Sequence, residues 1–255
     1  MTLNGPGSRL GHSFMLVVSL ATTLFLTGCA SAGALSKPDA PQRVEAASCD
    51  ALGSKAISVK EWVVEGYLDP EDTSKSLQHA IDSASKSGGA IVQLPEGVFT
   101  LERPLVMKSN VSLRGVGPTT VLKAGPDFLE FEGPFGGHPL ITTNGAQNVT
   151  ISQLTADQNG AELDGNLPGR LHEYLVDVRH SSNALVESVS TRNPYTYSIA
   201  VVASNNFCVR DNNTPVTSSG RYDQLDGIHI TDSHGGVVEG NLQHQRGWQP
   251  LPGFS

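Results

Sequence analysis

The stretch "QLDGIHITDSHGGVVEGN", residues 224–241, holds Asp226, His229, Asp232 and His234 within nine residues. A carboxylate with imidazoles nearby can move protons, so Asp226 is a candidate general acid or base. An Asp-Gly pair also opens a strand well, because Asp226 can cap a corner and Gly227 can permit a tight one. His229 lies between Ile228 and Ile230, so in a strand it faces away from them, outward. Upstream, Tyr174 and Tyr197 offer aromatic faces that can pack on the apolar face of a sugar ring or simply cover a sheet. Arg179, Arg192 and Arg221 can bind carboxylates, or stand solvated on the surface. The insertion "TADQNGAELDGNLPGRLHE" (155–173) carries Asp157, Glu162, Asp164 and Glu173, oxygen ligands suited to Ca²⁺ but without a fixed ligand spacing.

The elements that must position these residues repeat. Asn110 leads into Val111 and Leu113, Asn148 into Val149 and Ile151, Asn183 into Leu185 and Val186, and Asn206 into Phe207 and Val209. Gly235 leads likewise into Gly236 and Val238. Seven residues before the last four of these turns stand Ile141, Val176, Ile199 and Ile228, all apolar. Two residues before those stand Pro139, Tyr174, Tyr197 and Asp226, which predicts a column of candidate site residues. Asn212 and Asn241 share a later position in consecutive repeats. The turns are 38, 35, 23 and 29 residues apart, so one coil recurs with insertions. A parallel solenoid suits this pattern, with rungs spaced about 4.8 Å and turn asparagines tolerating left-handed backbone angles. A β-sandwich also has short strands at regular intervals. The constant seven-residue register favours the solenoid.

Ahead of the repeats, "TSKSLQHAIDSASKSGGAIVQLPEGVFTL" (73–101) reads as an amphipathic helix, a glycine pair, a buried strand and Leu-Pro-x-Gly. Leu77, Ala80, Ile81 and Ala84 form the apolar face of that helix. This order resembles the N-terminal section of the pectate-lyase superfamily. The resemblance implies an all-β fold, a right-handed single-stranded parallel β-helix with an N-terminal capping α-helix. "NPYTYSIAVVASNNFCVRDN" (193–212) followed by "LDGIHI" (225–230) further resembles polygalacturonase-type glycosidases. That match implies hydrolysis of an anionic polysaccharide, with Asp226 as a catalytic carboxylate and Tyr197 standing in for the family's aromatic. Tyr174, His229 and Arg192 would then contact substrate. The motif is imperfect: Asn193 and Pro194 are adjacent, Gln224 and Leu225 replace Asn and Thr, and "HQRGWQ" (244–249) stands where an Asp-Asp pair is expected. The family's later motifs do not occur before Ser255. The chain is therefore expected to be a C-terminally truncated member with little or no activity. A pectate-lyase-like β-eliminase or epimerase, for which Ca²⁺ would be the cofactor, and a non-catalytic glycan-binding or adhesion β-helix are the alternatives. No other cofactor is implied.

The N-terminus concerns export. Arg9 precedes "FMLVVSLATTLFL" (14–26), an apolar run too short for a comfortable membrane span. "LTGC" (26–29) resembles the lipobox of bacterial lipoproteins, which implies a lipid anchor on Cys29 and residence on the bacterial cell envelope. Residues 1–28 are then a signal peptide, the Pro-containing polar segment 29–54 a flexible tether, and 55–255 the β-helix domain. Removal of Arg9 leaves 16 basic against 25 acidic residues, a net charge of −9. That balance argues against a nucleic-acid partner, while a local basic groove could still hold an anionic glycan. The protein is expected to be a monomer. Cys49 and Cys208 can pair, but nothing in the sequence requires it.

Overall fold

The computed structural model describes residues 49–50, 61–63, 72–131, 133–134, 137–160, 174–215 and 227–243. These residues fall within one compact unit, 45–255. Helix α1 (Thr73–Lys86) starts at Asp72, whose side chain accepts the Lys75 backbone N–H at 2.9 Å. It buries Ser74, Leu77, Ile81 and Ala84 and stops at Gly88 (φ 93°) and Gly89 (φ 113°). Gly89 is needed twice over, since a Cβ there would also lie 2.5 Å from the Asn110 carbonyl oxygen.

The strands are β1 (Glu61–Val63), β2 (Ala90–Gln93), β3 (Gly97–Leu101), β4 (Leu105–Val106), β5 (Val111–Arg114), β6 (Thr120–Ala124) and β7 (Ile141–Thr142). They continue as β8 (Gln147–Asp157), β9 (Tyr174–Arg179), β10 (Ser182–Arg192), β11 (Tyr197–Val202), β12 (Cys208–Arg210), β13 (Ile228–Thr231) and β14 (Val237–Glu239). Every pairing is parallel. Among the described residues one sheet has nine strands, in the path β1-β2-β5-β8-β10-β12-β14, with β6 also paired to β8 and β3 paired to β6. The other has five, in the order β13-β11-β9-β7-β4. This is the expected parallel β-helix.

The register is the one the spacing predicts. Ile141 pairs with Val176, Val176 with Ile199, and Ile199 with Ile228. The first three are buried in one apolar core that runs from Leu77 to Val209, and Ile228 packs against it. Asn110, Asn148, Asn183, Asn206 and Gly235 all adopt left-handed angles, with φ 63°, 54°, 55°, 50° and 66°. Their amides form a ladder: Asn148 Nδ2 donates to Asn110 Oδ1 at 2.8 Å, and Asn183 Nδ2 to Asn148 Oδ1 at 3.0 Å. Asn212 Nδ2 donates to Asn241 Oδ1 at 2.9 Å, as their shared position implied.

A second set of left-handed corners, Gln153, Ser188, Asp211 and Gly240, bends the nine-stranded sheet where each residue follows an aligned strand position. Their residue types vary, so no repeat was visible there. Ser181, Ser204 and Ser233 form a further polar column, with Ser181 N–H donating to Ser204 Oγ and Ser204 N–H to Ser233 Oγ.

The helix caps the edge strand β4. Gln78 Oε1 accepts the Val106 N–H at 2.8 Å while Gln78 Nε2 donates to the Val106 carbonyl at 2.9 Å. One side-chain amide thus takes the place of a neighbouring rung and removes an open edge.

Cys49 and Cys208 form a disulfide, packing Cys49 against Leu185 and Val237. Cys49 and Asp50, expected in the flexible tether, are therefore fixed to the domain. The signal peptide, the rest of the tether, Cys29 and residues 244–255 lie outside the described residues.

Asn148→Ala is expected to cost about 2–3 kcal/mol in denaturant unfolding, from two lost hydrogen bonds and a left-handed alanine. Asn148→Gly should cost only about 1 kcal/mol, because glycine tolerates the angle. Cys49→Ser should cost about 2–4 kcal/mol, through a less constrained unfolded chain.

Candidate functional site

The outer face of the five-stranded sheet gathers most of the described candidates. Tyr174 on β9 and Tyr197 on β11 are paired in register, and their ring centroids lie 5.4 Å apart at an interplanar angle of 30°. His229 on β13 has its Cα opposite Ala200, yet its ring stacks on Tyr197 at 4.4 Å and 5°. Strict alternation from the inward Ile199 would send Tyr197 inward. Tyr197 is the first residue of β11, where alternation is not yet enforced, and its ring joins the outward histidine. Three rings from three successive coils therefore form one stack.

Asp177 lies beside this stack and was not singled out by sequence. It occupies the outward column Thr142–Asp177–Ala200–His229. Its side chain is only 1% exposed. Arg179 Nε donates to Asp177 Oδ2 at 2.8 Å, and Thr142 Oγ1 donates to the same oxygen at 3.2 Å. Asp177 Oδ1 is buried without a hydrogen-bond partner. Burial pushes this carboxyl above the ordinary 3.8, and the Arg179 charge, its hydrogen bond and Thr142 pull it only partly back. The Arg179 guanidinium also lies 5.7 Å from the centre of the Tyr174 ring. Burial raises the Tyr174 phenol too, against the opposing effect of Arg179. The signal available in sequence was a lone carboxylate inside the otherwise apolar "YLVDV".

The other candidates separate. Arg192 ends β10 on the nine-stranded sheet, exposed and opposite Asp157, away from the ring stack. Asp226 lies outside the described residues, as do Arg221 and the insertion residues Glu162, Asp164 and Glu173. Its neighbour Gly227 carries the carbonyl that accepts the Ile199 N–H at 3.0 Å. Gly227 sits at a bend without a positive φ, and glycine is needed there for space. A Cβ there would meet Thr214 Oγ1 at 2.5 Å. Asp157 serves structure, its Oδ1 accepting from the Asn159 N–H and from Asn193 Nδ2, both at 2.9 Å. Among the described residues no group of three or more His, Cys, Asp or Glu side chains is arranged to hold a metal ion.

No protein-family model matches the chain. The exopolygalacturonase of Thermotoga maritima superposes with a TM-score of 0.58 at 22% identity, over 76% of this chain and 56% of that one. The two proteins share the parallel β-helix fold. By sequence, alginate lyase 7 of Azotobacter vinelandii is 28% identical over 202 residues, which is 74% of this chain and 22% of the relative. The plasmin and fibronectin-binding protein A of Streptococcus pneumoniae is 28% identical over 173 residues, 60% of this chain and 23% of the relative. The chain thus spans less than a quarter of the length of these two curated relatives.

Because burial holds the folded Asp177 pKa above its unfolded value of 3.8, the folded protein binds this proton more tightly. The resulting stability is present below 3.8 and is lost as pH rises through the folded pKa. Thermal melts from about pH 4 to 7 should show Asp177→Asn gaining stability relative to wild type as pH rises. A difference that stays constant with pH would contradict the raised pKa.

Proposed function

We propose that this β-helix binds an anionic polysaccharide along the outer face of the five-stranded sheet. The observation that carries this reading is the Tyr174–Tyr197–His229 ring stack beside the Asp177–Arg179 pair. Aromatic rings pack against the apolar side of sugars, and of the three in this stack the half-buried Tyr197 and His229 are the ones a ligand can meet, with Tyr174 buried behind them. Arg179 supplies positive charge next to that path, although Asp177 neutralises much of it. The fold shared with a polygalacturonase and the sequence likeness to an alginate lyase support a polysaccharide as the ligand.

Within this reading the lineage is polygalacturonase-like and Asp226 is its catalytic carboxylate. Inverting hydrolysis needs an acid and a base about 6.5–9.5 Å apart. "HQRGWQ" (244–249) supplies no carboxylate where the family's motif has its Asp pair. Hydrolysis by this chain is accordingly proposed to be weak or absent. The protein is further proposed to be exported and held on the bacterial cell envelope by acyl chains on Cys29. Each buried CH₂ of such a chain contributes about 0.8 kcal/mol of membrane affinity.

A non-catalytic glycan-binding role is the second reading. It is favoured by the burial of Asp177, which keeps that carboxyl from reaching a substrate. One relative carries the name of a plasmin and fibronectin-binding protein.

Purified protein should bind polygalacturonate, and Tyr197→Ala should weaken that binding by about tenfold, the loss of roughly 1.4 kcal/mol. Reducing-end release should be slight and abolished in Asp226→Asn under the hydrolase reading. Binding unchanged in Asp226→Asn with no turnover at any level supports the second reading. Products absorbing in the ultraviolet would instead identify a β-eliminase. Unchanged binding in Tyr197→Ala would refute the proposed face.

A further inference from the structure

The nine-stranded sheet, a different sheet from that of the ring stack, carries its own groove. Two outward columns cross it in register. One runs Ser112, Thr150, Leu185, Cys208, and the other runs Arg114, Ser152, Glu187, Arg210. The intervening Leu113, Ile151, Val186 and Val209 point into the core. Outward residues of a β-helix are ordinarily solvated. Here Ser112, Thr150 and Ser152 are only 7%, 9% and 5% exposed, because they form the floor of a groove of about 440 Å³. None of these three hydroxyls makes a hydrogen bond with any described residue. Three donor-acceptor groups thus line a cleft in which no described residue satisfies them.

The walls are preorganised. Arg114 Nε donates to Gln93 Oε1 at 2.6 Å. Across the groove, Arg210 is fixed between Glu187, which accepts from Nε at 2.9 Å, and Asp50, which accepts from Nη1 at 2.6 Å. Asp50 is held there because its neighbour Cys49 is bonded to Cys208. Two cations and two anions line the groove, so its charges balance and an ion gains no net attraction. Leu185 and Ile91 add apolar surface beside the hydroxyl floor. A ligand matching these features is uncharged, rich in hydroxyl groups and has an apolar face. The volume lies within the range of about 300–1,000 Å³ usual for small-molecule sites.

We infer that this groove is a second carbohydrate site, taking a neutral mono- or disaccharide unit on the Ser112–Thr150–Ser152 floor between Arg114 and Arg210. It is independent of the proposed polysaccharide face, and its sugar class differs. Rigid strands and locked arginines leave little side-chain entropy to lose on binding, which favours recognition by this groove.

Isothermal titration of the full chain with cellobiose, maltose and lactose tests this, with digalacturonate as the anionic comparison. At least one neutral disaccharide should bind at millimolar concentration. The near-isosteric double variant Thr150→Val/Ser152→Ala should weaken that binding at least tenfold while its thermal midpoint, read in parallel, shows that it folds. Glu187→Gln provides a second variant with a smaller change in shape, and it too should weaken binding. Failure of all three neutral sugars to bind, or binding unchanged in both variants, would overturn the site. Tighter binding of digalacturonate than of every neutral sugar, abolished by the groove variants, would overturn the ligand class. Loss of neutral-sugar binding in Tyr197→Ala alone would locate it on the other sheet and also refute the inference.

Discussion

Everything in this fold depends on how the chain turns its corners. A flat strand can stack indefinitely, but a coil must bend several times and return in register with the coil below. The bends here use left-handed backbone angles, which cost an ordinary residue about 1–2 kcal/mol. Asparagine lowers that cost, and a stack of asparagines adds amide-to-amide hydrogen bonds between coils. Because each amide must meet its counterpart one rung away, the ladder fixes register as well as shape. A slip of one residue would break the ladder and turn every inward side chain outward.

That constraint explains the two outer faces. Once corners are aligned, residues at equal distances from them fall into columns, whatever insertions lie between. Tyr174, Tyr197 and His229 come from coils of different length, yet their rings stack. Arg114, Ser152, Glu187 and Arg210 likewise align across four coils. The fold supplies long, rigid, addressable surfaces and leaves their chemistry to outward residues. The same logic governs the end of the stack, where Gln78 presents an amide to β4 in the geometry of a strand.

Legibility followed these physical rules. The asparagine corners were readable because few residue types tolerate the left-handed region, and the seven-residue interval to an apolar position repeated. The second corner set was hidden, since Gln153, Ser188 and Asp211 do not advertise that angle and their neighbours hold them in it. Tyr174 and Tyr197 could be aligned by counting, but alternation would set them on the face opposite to His229, and only the folded coils bring the three rings together. Asp177 could not be weighted, because its burial, its bond to Arg179 and its lone unpartnered oxygen exist only after three coils pack. Arg192 was expected to contact substrate alongside the rings, but a corner at Asn193 separates it from Tyr197 and leaves it on the other sheet.

By itself, then, the sequence determined the coil, its register, the capping helix and the alignment of Tyr174 with Tyr197. All of these follow from local backbone preference and from the periodicity of apolar side chains. Tertiary structure alone decided the disulfide to Cys208, the buried Asp177 and the hydroxyl-floored groove. These arise between residues that no local rule connects, since their burial and charge environment come from neighbours in other coils. The opening Asp-Gly pair divides along the same line. Gly227 has its reason in the packing of Thr214 against it, and Asp226 keeps its candidacy from the motif.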